Sequence, residues 1–288
     1  MTLAATGDLV TSATSAGTAV LAFNVITIEH VEGVADGVER AGTTALIQIS
    51  ENTVGFHGGR IAPLLSACAQ IAERSSAPLA IHLDHFQDVA LIAEAIATAA
   101  GFGATSIMVD AAHLSYRDNV ERTRILTQDA HGAGLWVEAE LGEIGGKLNA
   151  HALGARTDPD EAADFTEATG VDALAVAVGS SHAMTARDAQ LDIDLIAHLA
   201  AHVPVPLVLH GSSGVPDDQL RRAVAAGIRK VNVGTALNVA YTGAIREALS
   251  ANPSATDPRR YVTAGRQAIG DTVADLCRAL AAGVGAAR

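Results

Sequence analysis

The chain is poor in several residue types. Only 3% of its 288 residues are aromatic, and two are cysteine. Cys68 and Cys277 cannot build a disulfide framework or a cysteine-rich metal site. Both fall in apolar helical patterns, which predicts buried thiols and suits a reducing cytoplasm. Basic residues are also scarce: 19 Lys and Arg stand against 32 Asp and Glu, a formal charge of -13. A surface of that sign repels polyanions, which argues against nucleic acid and anionic membranes as partners and makes any phosphate recognition local. No apolar run is long enough to span a bilayer and no Arg/Lys-led apolar segment opens the chain, so the expected location is cytoplasmic. No linker or low-complexity tract divides the sequence, and no strand runs into a G-x-G-x-x-G turn, which counts against an open dinucleotide-binding sheet.

What is present is periodic. With 49% hydrophobic residues the chain can bury a large core of Ala, Val, Leu and Ile. Eight short apolar runs recur: 20–25, 44–50, 79–86, 106–111, 135–141, 173–178, 206–211 and 230–234. Between them lie stretches of helical period, including 28–41, 89–101, 160–170 and 217–227, with Gly101, Gly170 and Gly227 as helix stops. Strands alternating with helices predict a parallel sheet, and eight such units predict an α/β fold of the closed (β/α)8 TIM-barrel type, a single domain over 1–288. A short leading helix is expected within 1–18 and a terminal one over 258–288.

In such a barrel the chemistry sits at the carboxyl ends of the strands. Read strand by strand, those ends carry Asn24, Ser50, Asp84 with His85, Asp110, Glu138 with Glu140, the run Gly179-Ser180-Ser181-His182, the run His210-Gly211-Ser212-Ser213-Gly214, and Asn232 before Val233-Gly234-Thr235. His85, His182 and His210 come from strands three, six and seven, and three imidazoles with an open position make a catalytic Zn2+ site. Most of the remaining eight histidines read as structural, including His198 and His202, whose i, i+4 spacing lacks the glutamate of H-E-x-x-H. The turns after strands seven and eight offer small residues and backbone N–H groups where barrels commonly hold a phosphate.

Taken together, AFN at 22–24, HLDH at 82–85, VDAAH at 109–113, VEAELG at 137–142, VGSSH at 178–182, LHGSSG at 209–214, KVNVGT at 230–235 and DPRRY at 257–261 resemble the zinc-dependent class II ketose-bisphosphate aldolases, the family of fructose- and tagatose-bisphosphate aldolases. The resemblance implies His85, His182 and His210 as zinc ligands and Asp84 as the proton shuttle at the C4 hydroxyl. Asp110 and Glu140 are implied as acidic groups for a second divalent or a monovalent cation. It further implies that Gly211, Ser212, Ser213, Asn232, Val233, Gly234 and Thr235 bind the C1 phosphate of dihydroxyacetone phosphate, with Asn232 also reaching the enediolate and Ala183 offering its backbone N–H. Asn24 and Ser50 match substrate contacts. Arg259 would hold the distal phosphate across a subunit interface, so a homodimer or homotetramer is expected.

Two positions depart from the family pattern. A glutamate expected two residues after Gly145-Gly146 is Leu148 here, and Ala183 stands where a glycine is usual. Leucine cannot exchange a proton. Of the titratable groups nearby, Asp158-Pro159 and Asp160 suit the start of the next helix, which leaves His151 as the substitute. The expected activity is a zinc-dependent lyase cleaving a ketose 1-phosphate or 1,6-bisphosphate, with slow or rerouted proton exchange on the ketone half. A substrate with a sulfonate or carboxylate at the distal end is an alternative. A metal-dependent hydrolase on the same barrel is another, against which the first strand's Phe23-Asn24 counts because it lacks H-x-H. A zinc-binding pseudoenzyme is the third. A Schiff-base mechanism has one candidate, Lys230, two residues before Asn232.

Overall fold

The computed structural model describes residues 3–142, 156–181 and 187–281. Eight parallel strands close into a barrel in chain order: β1 (Val20–Asn24), β2 (Ala45–Ser50), β3 (Leu79–Phe86), β4 (Ser106–Val109), β5 (Trp136–Glu140), β6 (Ala173–Ala175), β7 (Leu207–Leu209) and β8 (Ile228–Val233). The predicted runs lie on these strands, some shorter by several residues because the last positions of each run leave the ladder to form the mouth. The helices among the described residues are α1 (Thr6–Ser15), α2 (Ile28–Ala41), α3 (Glu51–Phe56), α4 (Ala62–Arg74), α5 (Val89–Thr98), α6 (Tyr116–Gly132), α7 (Pro159–Thr169), α8 (Ile193–His202), α9 (Asp217–Ala226), α10 (Thr235–Ala251) and α11 (Pro258–Ala281). Gly101 does not stop a helix as expected. A 3-10 turn over Ala99–Phe102 carries the chain past it, and Gly103 takes the left-handed conformation at φ 97°.

Strand alternation sorts the side chains into two populations. Outward residues such as Phe23, Ile47, Ile81, Leu83, Ile107 and Val231 meet the apolar faces of the surrounding helices in one large cluster. Inward residues are stacked by height. Val10, Val20, Ala22, Leu46 and Ala80 form an apolar floor, with Trp136 packed against it. Met108, Ala173, Ala175, Ala177 and Val208 fill the wall on the β6 side. Above the floor the interior turns polar, with Gln48, His82, Ser106, Glu138 and Lys230 all fully buried. Helix α1 seals the bottom: Thr6 Oγ1 lies 2.7 Å from Ser106 Oγ and 2.8 Å from Thr105 Oγ1, and Ser106 Oγ lies 2.8 Å from His82 Nδ1.

Helices α2 and α11 pack closely because glycine stands at their contact. A Cβ on Gly37 would lie 2.6 Å from the Gly270 carbonyl oxygen, and one on Gly33 would lie 2.8 Å from the Arg266 carbonyl oxygen. Helix α10 lies on α11, and Leu237 is its one buried residue, with Val239 54% exposed. Both cysteines are buried, and burial pushes each thiol up to about 12, as the apolar patterns predicted. No helix among the described residues is long and apolar enough to cross a membrane. Gly37→Ala is expected to destabilise the protein by about 1–3 kcal/mol, since backbone cannot give way as a side chain can. Gly132→Ala, on α6 with open space around it, should hold or raise stability by up to about 1 kcal/mol. Urea unfolding of the two variants checks the contrast.

Candidate active site

Asp84 and His85 are consecutive, yet both side chains reach the mouth. In a regular strand they would face opposite sides of the sheet. The β3–β4 register shifts between Leu83 and Phe86, and His85 adopts φ 53°, the one positive φ of a non-glycine among the described residues. Such a bulge re-aims a side chain, and a strained residue at a strand end points to use. Asp84 does not cap the following helix; Asp88 caps α5 by accepting from the N–H groups of Ala90 and Leu91.

Asp84 is buried between two carboxamides. Its Oδ2 accepts from Asn24 Nδ2 at 2.7 Å, and its Oδ1 lies 3.4 Å from Asn232 Nδ2. Each amide is held from behind, Asn24 Oδ1 by Gln48 Nε2 at 3.1 Å and Asn232 Oδ1 by Lys230 Nζ at 2.7 Å. Burial alone would raise the Asp84 carboxyl, but His85 and His210, then Lys230, and the Asn24 hydrogen bond outweigh it and lower its pKa. The carboxylate form is therefore favoured, the form that accepts a proton.

Beside it, His85, Glu140 and His210 each present one ligand atom within 4.8 Å of the others. His85 Nδ1 lies 3.1 Å from Asp110 Oδ2, which also accepts from Gln87 Nε2 at 2.7 Å. His210 Nε2 donates to Glu138 Oε1 at 2.9 Å, and its Nδ1 lies 3.8 Å from Glu140 Oε2. A proton fixed on one ring nitrogen by a carboxylate puts the lone pair on the other, the state in which an imidazole ligates a metal. Two oriented imidazoles and a carboxylate fit a divalent cation of the zinc class. Asp110, expected as an acidic group near the metal, stands here against His85. His182 and Ala183 lie outside the described residues, as do Leu148 and His151.

The two turns expected to hold a phosphate meet at the start of α10. Ser213 Oγ accepts from Ala236 N at 3.1 Å, and Ser212 Oγ donates to the Asn232 carbonyl, so the β7 and β8 turns brace each other. Gly211 at φ 65° is obligatory there, because a Cβ would sit 2.4 Å from the Ser181 carbonyl oxygen. Gly234 and Thr235 begin α10, where backbone N–H groups suit an anion. Ser50 caps α3, its Oγ accepting from Thr53 N. Asp158 caps α7 and Pro159 follows it, as expected. Arg259 is not brought to this centre within the chain. Its side chain is 88% exposed, pairs with Asp257 and lines a surface cleft with Glu29, Glu32 and Arg266.

The sequence reading gave no role to Glu138 and considered Lys230 only as a nucleophile. Their pairing, Nζ to Oε2 at 2.8 Å, spans the interior between β5 and β8. A lysine committed to a buried carboxylate and an amide is poorly placed to attack a carbonyl. His82, read as structural, is held well below the usual imidazole range by burial and then by the Lys230 ammonium, so it is neutral.

A family model for class II fructose-bisphosphate aldolase matches residues 4–283. The YdjI aldolase of Escherichia coli K12 is 29% identical, with a TM-score of 0.80 over 96% of this chain and 97% of its own. A Coccidioides immitis protein described as a fructose-1,6-bisphosphate aldolase is 28% identical, with a TM-score of 0.82 over 96% of each chain. A fructose-bisphosphate aldolase of Campylobacter jejuni shares the fold at a TM-score of 0.83 and 19% identity over 97% of this chain and 96% of its own.

His85→Ala and His210→Ala should each abolish stoichiometric Zn2+ binding in calorimetric titration, while His131→Ala, which removes a surface partner of Asp172, leaves it intact. Full Zn2+ uptake by either of the first two variants would remove that residue from the ligand set.

Proposed function

The chain belongs to the class II fructose-bisphosphate aldolase family, and we propose that it cleaves a ketose 1-phosphate, foremost a 1,6-bisphosphate such as fructose or tagatose bisphosphate, reversibly to dihydroxyacetone phosphate and an aldehyde, using Zn2+. The observation that carries this reading is the buried carboxylate of Asp84, set between Asn24 and Asn232 and next in sequence to His85. His85, His210 and Glu140 would hold the cation, with His182 as the further ligand the resemblance implies. When bound, Zn2+ supplies an electron sink at the ketose carbonyl.

The chain's own residues carry the rest. Asp84 accepts the C4 hydroxyl proton as the C3–C4 bond breaks, which leaves C4 as the aldehyde carbonyl of its half and the bonding electron pair on C3 of the three-carbon half. Asn24 and Asn232 hold the carboxylate in place and offer N–H donors to oxygens of the three-carbon half. The turns at 211–213 and 232–235 receive the C1 phosphate through backbone N–H groups and serine hydroxyls. That recognition suits a chain with net charge -13, because it places the positive ends of backbone dipoles where an anion is needed. With Leu148 in place of a loop glutamate, proton exchange at C3 of the three-carbon half, the carbon freed by cleavage, is slow or is carried by another group.

The distal anion falls to Arg259 supplied from a second copy. The exposure of its guanidinium outside its own chain's centre favours this, as does the thin burial of α10, which leaves Tyr241, Ile245 and Leu249 half-covered. The assembly is then a homodimer or a homotetramer built from such pairs.

Coupled assay of dihydroxyacetone phosphate release across ketose phosphates differing at C4 and C6 tests the reading, and a chelator should abolish turnover. Asp84→Asn should lower kcat by about 10²–10⁴ with Zn2+ content unchanged; wild-type turnover by that variant would remove Asp84 from the reaction. Arg259→Ala should raise KM for a bisphosphate more than for the matching monophosphate. Equal effects would place the distal anion elsewhere.

A further inference from the structure

The cleavage chemistry uses Asp84 and the cation ligands, yet the most buried cation of the barrel has no part in it. Lys230 has no exposed surface. Its Nζ sits 2.8 Å from Glu138 Oε2 and 2.7 Å from Asn232 Oδ1. As a stabilising device this is a poor choice, since removing two charges from water offsets most of their attraction and apolar residues of like volume often serve as well. The placement has to be explained by what the ammonium touches.

An ammonium carries three donors and no acceptor. An amide facing it can present only oxygen, so the Asn232 carboxamide must direct its NH2 away from Lys230. On that side lies Asp84, with Oδ1 3.4 Å from Asn232 Nδ2. Turned the other way, the amide would set NH2 against an ammonium and oxygen against a carboxylate. Nor can Lys230 drift, because Glu138 holds it, and Glu138 is itself fixed by the proton of His210 Nε2 at 2.9 Å.

We propose that Lys230 is a positioning residue that locks Asn232 in the one amide orientation able to donate toward Asp84 and a reactant oxygen, and that through Glu138 it sets this amide in register with His210. The lock is a property of the folded chain; its effect on turnover rests on the aldolase reading above. Asn24 opposite is held by another amide, Gln48, which can donate or accept, so the unconditional constraint falls on the Asn232 side alone.

The test is a double-mutant cycle of Lys230→Met and Asn232→Ala, with the side-chain amide of Asn232 followed by NMR in protein labelled with 15N-asparagine. The signal is assigned by its absence from Asn232→Ala. In the wild-type background Lys230→Met should lower kcat by about ten- to a hundredfold, the effect of removing a buried charge-assisted hydrogen bond. In the Asn232→Ala background it should lower kcat no further. The Asn232 amide protons should shift and exchange faster in Lys230→Met, and Lys230→Gln, which keeps a donor, should recover most of the rate. Should a lone Glu138 keep Lys230→Met from folding, Glu138→Gln/Lys230→Met takes its place in the cycle with the same expectations. An equal loss of kcat in both backgrounds, or an Asn232 amide signal unchanged from wild type, overturns the proposal. If the wild-type protein cleaves no ketose phosphate, the aldolase reading falls, and the amide measurement alone decides the role of Lys230.

Discussion

Glu138 sits at the centre of a closed barrel with no water-facing surface, and His210, Lys230 and, through Lys230, Asn232 are held by it. One oxygen takes the His210 proton and the other takes the Lys230 ammonium. An unpaired carboxylate at that depth would be costly, and losing either charge of such a pair typically costs about 3–5 kcal/mol. The carboxylate is therefore bound to its partners, and they are bound to it. His210 gains a fixed tautomer, Lys230 a fixed position, and through Lys230 the Asn232 amide gains a fixed face. A polar layer that is expensive to bury thus becomes the reference frame for the groups above it.

The rest of the interior is arranged to admit that layer. Ala173 and Ala175 of β6, with Ala177 just beyond it, leave room on one wall, and the floor beneath is apolar. Height along the barrel axis accordingly runs from packing, through a layer of paired polar groups, to the groups that meet a reactant. Each inward position belongs to one of these levels because strand alternation and register leave it no other place. A one-residue slip of β5 would turn Glu138 and Glu140 outward together and put Val137 and Ala139 among the charges.

Periodicity made the barrel legible, since eight apolar runs separated by helical stretches have few other solutions, and the rule that chemistry gathers at carboxyl ends picked out Asp84, His85, Glu140, His210 and Asn232. Two things were not legible, for different reasons. Alternation places Asp84 and His85 on opposite faces, and only the bulge at His85 brings both to one mouth; bulges leave little trace in a sequence without a glycine to mark them. The Glu138–Lys230 pair joins positions 92 residues apart, on strands that do not neighbour each other. The shared two-residue offset of each from a functional residue, Glu140 and Asn232, was the available hint. Gly101 was misread because a 3-10 turn ignores the stop that an α-helix would obey.

The seal made by α1 has a consequence for traffic. With Thr6 tied to Ser106 and Val10 seated on the floor, the described residues close the barrel at its lower end and leave the carboxyl ends of the strands as the way in. On the proposed reading, cation, sugar and products would all pass by that route, and a reactant seated across the mouth would stand between solvent and an ion held by His85, Glu140 and His210.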